Sequence, residues 1–147
     1  MSVEIAHQIE IAAPYDEVWD VLSDIQAWPT WTPTVEKVVA ETPGPVNAGS
    51  TFELFQPKML PAAWEITSWI PGRGFTWESH GLGLVTTAEH ALESRGAVTV
   101  VTLKITFSGP LGGLIGFLSG TFTKNYLTLE AAGLKRRVEH SPGNPST

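Results

Sequence analysis

Residues 3–11, VEIAHQIEI, set Val3, Ile5, His7, Ile9 and Ile11 on one face and Glu4, Ala6, Gln8 and Glu10 on the other, the period-two alternation of a half-buried strand. The period then lengthens. Pro14 suits the first position of a helix, Asp16 and Glu17 favour its positive end, and Val18, Trp19, Val21 and Leu22 supply an apolar side, which predicts a short helix over 14–23. One more turn over 24–27 precedes WPTWTP at 28–33, where Pro29 and Pro33 block helical continuation. From residue 35 the pattern becomes that of strands, VEKVVAET, STFELFQP, PAAWEITSWI, FTWES, LVTTAEHALE and AVTVVTLKITF, punctuated by the turn segments PGPVNAG, PGRG, HGLG and SRG. With the first segment these make about seven strands. Leu111, Ile115, Leu118, Phe122 and Leu129 then follow the steps of one helical stripe and predict a long helix over about 111–136. The remainder, 138–147, is polar and proline-bearing and is expected to be a disordered tail.

One strand, short helices, six further strands and a long helix call for an α+β domain over 1–137, an antiparallel sheet with its helices on one side. The apolar stripe of the long helix needs a partner. The inside of a curved sheet is the only surface large enough, so the helix is expected to lie across the concavity and leave a pocket wherever small residues fail to fill it. Gly112, Gly116 and Gly120, at four-residue steps, would allow close approach to the strands or leave volume beside Leu118 and Phe122.

Composition sharpens this picture. Only 16% of the 147 residues are charged, against about 25% in an average soluble domain, while six are Trp. Such a balance favours a large apolar interior or cavity wall. A net charge of −6 with nine Lys and Arg offers no footprint for nucleic acid, and the cluster Lys135, Arg136, Arg137 falls where cations complement a helix end. The longest apolar run, 110–122, is too short for a membrane span, and no secretory signal opens the chain, so a soluble protein is expected. Absence of cysteine excludes disulfides and thiolate chemistry and fits a reducing compartment, with the cytoplasm as the expected location.

Parity along the strands nominates side chains for the interior. If Ile66 faces inward, Trp64 and Ser68 join it, and Phe75 shares a face with Trp77. His90 shares parity with Ala88 and Leu92, so it points inward, where an imidazole can hydrogen-bond a ligand or move a proton. His7 lies on the apolar face of the first strand. Glu53, Glu65, Glu78 and Glu89 fall on the opposite faces and read as solvated exterior. The sequence holds no nucleophile elbow, HExxH, P-loop or GxGxxG, and nothing in the histidine spacing favours a metal; no cofactor is expected.

Two strings carry a family resemblance. IEIAAPYDEVWDVLSDIQAWPTWTPTVEKV and AEHALESRGAVTVVTLKITFSGPLGGLIG together resemble the polyketide cyclase/dehydrase-like branch of the START-type (SRPBCC) superfamily, over about 1–135. Leu92 departs from the pattern, since relatives often carry Phe there. The resemblance implies a helix-grip fold of about seven antiparallel strands gripping the C-terminal helix. It also implies that Trp28 and Trp31 cap the cavity mouth. The expected wall residues are Trp31, Phe52, Trp64, Ile66, Trp77, His90, Leu103, Leu118 and Phe122. The leading expectation is the binding or carrying of a small hydrophobic or aromatic molecule. The alternatives are an aromatase/cyclase-type enzyme in which His90, with Thr86 or Ser68, moves protons, and a protein-interaction module with an exposed aromatic mouth.

Overall fold

The computed structural model describes residues 2–140. Seven strands, β1 (Val3–Ile11), β2 (Lys37–Ala40), β3 (Thr51–Phe55), β4 (Ala62–Ile70), β5 (Gly74–Gly81), β6 (Leu84–Arg95) and β7 (Val98–Ser108), form one antiparallel sheet in the order β1-β7-β6-β5-β4-β3-β2. The order is a plain meander from β2 to β7, with β1 closing onto β7. Helix α1 (Tyr15–Ser23) and a 3-10 helix (Ile25–Thr30) follow β1, and α2 (Gly112–Glu139) ends the described chain. Helix α2 packs chiefly across β1 and β7. From there Tyr126 reaches over to the far half of the sheet, its hydroxyl donating to the Pro57 carbonyl at 2.7 Å. A sheet touched by one helix near both ends is bent around it, which is the helix-grip architecture expected from the sequence.

Several local expectations change in the structure. Pro14 is extended and stands just outside α1 as its N-cap. Pro29 lies inside the 3-10 helix, where a short element loses only one donor to the proline ring. β4 carries a bulge: Ile66 pairs with Trp77 but Ser68 pairs with Thr76, so Thr67 is the extra residue. The bulge reverses parity beyond it. Ser68 therefore turns away from the concave face, and Trp69 takes its place, packing on Trp19 (5.0 Å between centroids) and Phe75 (5.3 Å).

The largest correction concerns α2. Its buried side is Gly112, Gly116, Thr123, Leu127, Ala131, Gly133, Leu134 and Val138, one residue out of phase with the expected stripe and so rotated by about 100°. Leu111, Leu118, Phe122 and Leu129 are exposed instead. Close approach explains the phase, because a Cβ at Gly116 would lie 2.5 Å from Val3 Cβ and one at Gly133 only 2.2 Å from the Trp31 carbonyl oxygen. No side chain fits at either place. Gly120, by contrast, faces open space. The helix also runs past its expected end, taking in Val138 and Glu139 of the segment expected to be a tail; 141–147 lie outside the described residues.

Candidate functional site

Between α2 and the sheet lies a cavity of about 300 Å³. Its origin can be followed along the β5–β6 ladder, whose inward pairs are Phe75 with His90, Trp77 with Ala88, and Ser79 with Thr86. Aromatic rings fill the first of these levels, whereas small side chains leave the last one empty. Ala62, paired with Leu54 across β3 and β4, extends the space sideways. Leu103 and Ile105 from β7 and Phe122, Thr123, Leu127 and Glu130 from α2 complete the wall.

Trp28 closes one end. Its indole is 1% exposed, its N–H donates to the Leu22 carbonyl at 2.9 Å, and its ring lies within 5.4–6.1 Å of Trp31, Phe75, Trp77 and His90. WPTWTP thus supplies a floor plug to the cavity, not a cap at its mouth. Trp31 sits behind Trp28 with its backbone against Gly133, outside the cavity lining.

Of the expected wall residues, Trp64, Trp77, His90, Leu103 and Phe122 line the cavity. Phe52 and Ile66 face inward as expected but are buried in packed core beside it, because the aromatic cluster fills that end of the sheet. Leu118 is displaced to the surface by the rotation of α2, with 70% of its area exposed. Thr86 lines the cavity; Ser68 is excluded from it by the β4 bulge. His7 faces α2, and partial burial together with the nearby Lys124 ammonium lowers its pKa.

The titratable groups of the cavity wall that burial perturbs most are His90 and Glu130. His90 Nδ1 lies 3.2 Å from the Phe75 carbonyl oxygen and its ring stacks on Phe75 at 4.2 Å. A carbonyl only accepts, so Nδ1 carries the proton and Nε2 keeps a lone pair. That Nε2 is 3.8 Å from Glu130 Oε2, beyond hydrogen-bond reach. Burial pulls His90 down to about 4, partly opposed by the bond to Phe75, and burial pushes Glu130 up to about 7. At neutral pH the imidazole is uncharged and the carboxyl is poised near its midpoint. Among the described residues the indole N–H of Trp64 finds no acceptor. Among the described residues no cluster of three or more His, Asp or Glu is arranged to hold a metal ion, and no helix is long and apolar enough to cross a membrane.

Glu130 is the functional candidate that the sequence did not yield. Its signal is present, since Glu130 falls between Leu127, Ala131 and Leu134 on the buried side of α2, but it is visible only once the helix is phased through its glycines.

A bent antiparallel sheet gripping a terminal helix around a mostly apolar cavity defines the helix-grip class of proteins. Within that class the chain belongs to the polyketide cyclase/dehydrase and lipid transport family, whose sequence pattern matches residues 2–139. It is similar in structure to TTHA0849 from Thermus thermophilus, with 18% identity, 96% of this chain and 100% of that chain covered, and a TM-score of 0.76. The aromatase/cyclase Zhui from Streptomyces sp. R1128 gives 18% identity, coverage of 98% and 99%, and a TM-score of 0.73. Norcoclaurine synthase from Thalictrum flavum, in complex with dopamine and hydroxybenzaldehyde, gives 16%, coverage of 96% and 89%, and 0.75. These superpositions establish a shared fold. The uncharacterized protein Rv2574 of Mycobacterium tuberculosis is 37% identical over 43 residues, 29% of this chain and 26% of that protein. The match thus spans about a quarter of that relative's length.

Proposed function

We propose that this protein binds a small, mostly apolar molecule, aromatic or lipid-like, in the cavity between the sheet and α2. The observation that carries the reading is the cavity itself: about 300 Å³ walled by Trp28, Trp64, Trp77, Leu103 and Leu127, with His90 and Glu130 among its few polar groups. That is the size and chemistry of a small-molecule site, and burying apolar ligand surface there supplies about 25 cal/mol per Å². The ligand's polar group lies toward Glu130 and His90. Three indoles in the wall make the interaction observable. Titration with 2-naphthol should quench tryptophan emission saturably at one molecule per chain. Thr86→Phe, which fills the half-buried end of the cavity, should weaken binding at least about tenfold while leaving the far-UV spectrum unchanged. Equal affinity of the two proteins would remove the cavity as the site.

A second reading, an aromatase/cyclase-type enzyme, is favoured by one specific observation, the Glu130 carboxyl raised to about 7 beside the neutral His90. A group with that pKa can both give and take a proton at neutral pH, as enolisation of a poly-keto chain requires. In this reading Glu130 moves the proton and His90 Nε2 orients the substrate. The similarity in fold to the Zhui aromatase/cyclase is compatible with it and adds only analogy.

A further inference from the structure

Leu111, Leu118 and Leu129 of the helical stripe that the sequence placed in the core end up on the surface, and they do not stand alone. Leu114 (56% exposed), Phe117 (81%) and Leu118 (70%) on α2 are joined by Leu82 (97%) at the β5–β6 turn and Leu60 (88%) in the β3–β4 loop. The three segments are fastened together. The Leu111 N–H donates to the Gly83 carbonyl at 2.7 Å, and Phe122 stacks at 4.6 Å on Tyr126, whose hydroxyl holds Pro57. They also border the cavity, whose lining includes Met59, Leu60, Leu84 and Phe122. Monomeric proteins rarely expose several large apolar side chains side by side without a use for them.

Charge indicates what covers this surface. Segments 54–64, 79–88 and 105–129 contain Lys58, His80 and Lys124 and no carboxylate, although the whole chain has 15 acidic residues and a net charge of −6. Lys58 and Lys124 are the charges these segments carry, His80 being held at 3.2 Å by Glu78, so on an otherwise acidic protein the apolar face itself bears positive charge and complements an anionic lipid surface. The apolar groups are tips projecting from two turns and a helix, a shape suited to entering headgroups, and no described helix is long and apolar enough to span. We infer that this face docks on an anionic membrane surface, with Leu60, Leu82, Phe117 and Leu118 inserted at the interface and the cavity mouth held against the lipid. The inference does not require that the cavity bind 2-naphthol, so the two can fail separately.

The test is co-sedimentation of the full chain with vesicles of phosphatidylcholine alone and of phosphatidylcholine containing about one-fifth phosphatidylglycerol. The protein should pellet with the mixed vesicles, several-fold less with the neutral ones, and less again as salt is raised. The double variant Phe117→Ser, Leu118→Ser should lose at least about tenfold in vesicle affinity. Its thermal unfolding and 2-naphthol binding should stay unchanged. No sedimentation with either vesicle, or equal sedimentation of wild type and variant, would overturn the inference. So would a dimer in sedimentation equilibrium that the double variant dissociates, because the face would then belong to a second copy.

Discussion

Trp28→Ala is expected to lower the unfolding free energy by about 3–5 kcal/mol, the range for truncating a buried large aromatic. The removed indole is almost wholly buried and lies within 6.1 Å of four other rings, so both its transfer term and its ring contacts are lost. Its N–H is also the partner of the Leu22 carbonyl near the end of α1, which would be left buried without a donor. Relaxation offers little relief, because Trp28 borders an existing cavity and its loss enlarges that cavity. Against a total of about 5–15 kcal/mol for a domain, this brings the fold close to its margin. Urea unfolding followed by far-UV circular dichroism reads the change, and Trp28→Phe should recover roughly half of it. A cost below about 1 kcal/mol would show that the plug is not what closes the cavity.

Glu130→Gln should act in the opposite direction, by an amount that grows as pH rises from about 4.5 to 7. Burial lifts the folded-state pKa of Glu130 from 4.5 to about 7. Between those values the native state holds a proton that the unfolded chain has released, so stability falls as pH rises through the window and the penalty is complete above it. Glutamine cannot ionise. The variant should therefore exceed the wild type by on the order of 3 kcal/mol at pH 8 and by less than about 1 kcal/mol at pH 5. His90 works with the other sign: its pKa falls from 6.5 to about 4, so its contribution to stability rises with pH between those values. In the wild type the two slopes nearly cancel from about pH 4.5 to 6.5. In Glu130→Gln the His90 slope should stand alone, giving a stability that climbs to about pH 6.5 and then levels. Denaturant midpoints across pH 4.5 to 8 measure both proteins, and a constant gap between them would mean that Glu130 is ionised throughout. For the enzymatic reading, the same variant should abolish turnover of a poly-keto substrate without abolishing its binding.

How much of this is written in the chain depends on what each element has to signal with. Strands announce themselves by alternation, and the inward facing of Phe75 with Trp77 and of Ala88 with His90 follows from parity that the sequence displays, whereas their pairing across β5 and β6 does not. Parity fails where one residue is inserted, and nothing in AAWEITSWI marks Thr67 as the bulge that trades Ser68 for Trp69. The long helix misleads for a different reason. Hydrophobicity weights Leu118 and Phe122, but the buried face is chosen by how closely backbones can approach, and there Gly116 and Gly133 outrank any large side chain. That same error of phase hides Glu130 and makes a surface stripe look like core. Pro29 does not end the 3-10 helix, which runs to Thr30, and only the resemblance, not their own chemistry, would put the neighbouring indoles at the mouth. Trp28 has the chemistry of a plug, a donor satisfied at Leu22 and a ring packed on the β5–β6 ladder, and Trp31 packs on Trp28.

The most direct measurement of the central claim, that the space between sheet and helix receives an apolar guest, is the set of intermolecular nuclear Overhauser contacts between 2-naphthol and methyl-labelled protein. Contacts to the methyl groups of Leu54, Leu103, Ile105 and Leu127, all lining the cavity, are the expected result. Contacts confined to Leu114 and Leu118 on the surface, or none at saturating naphthol, would contradict it.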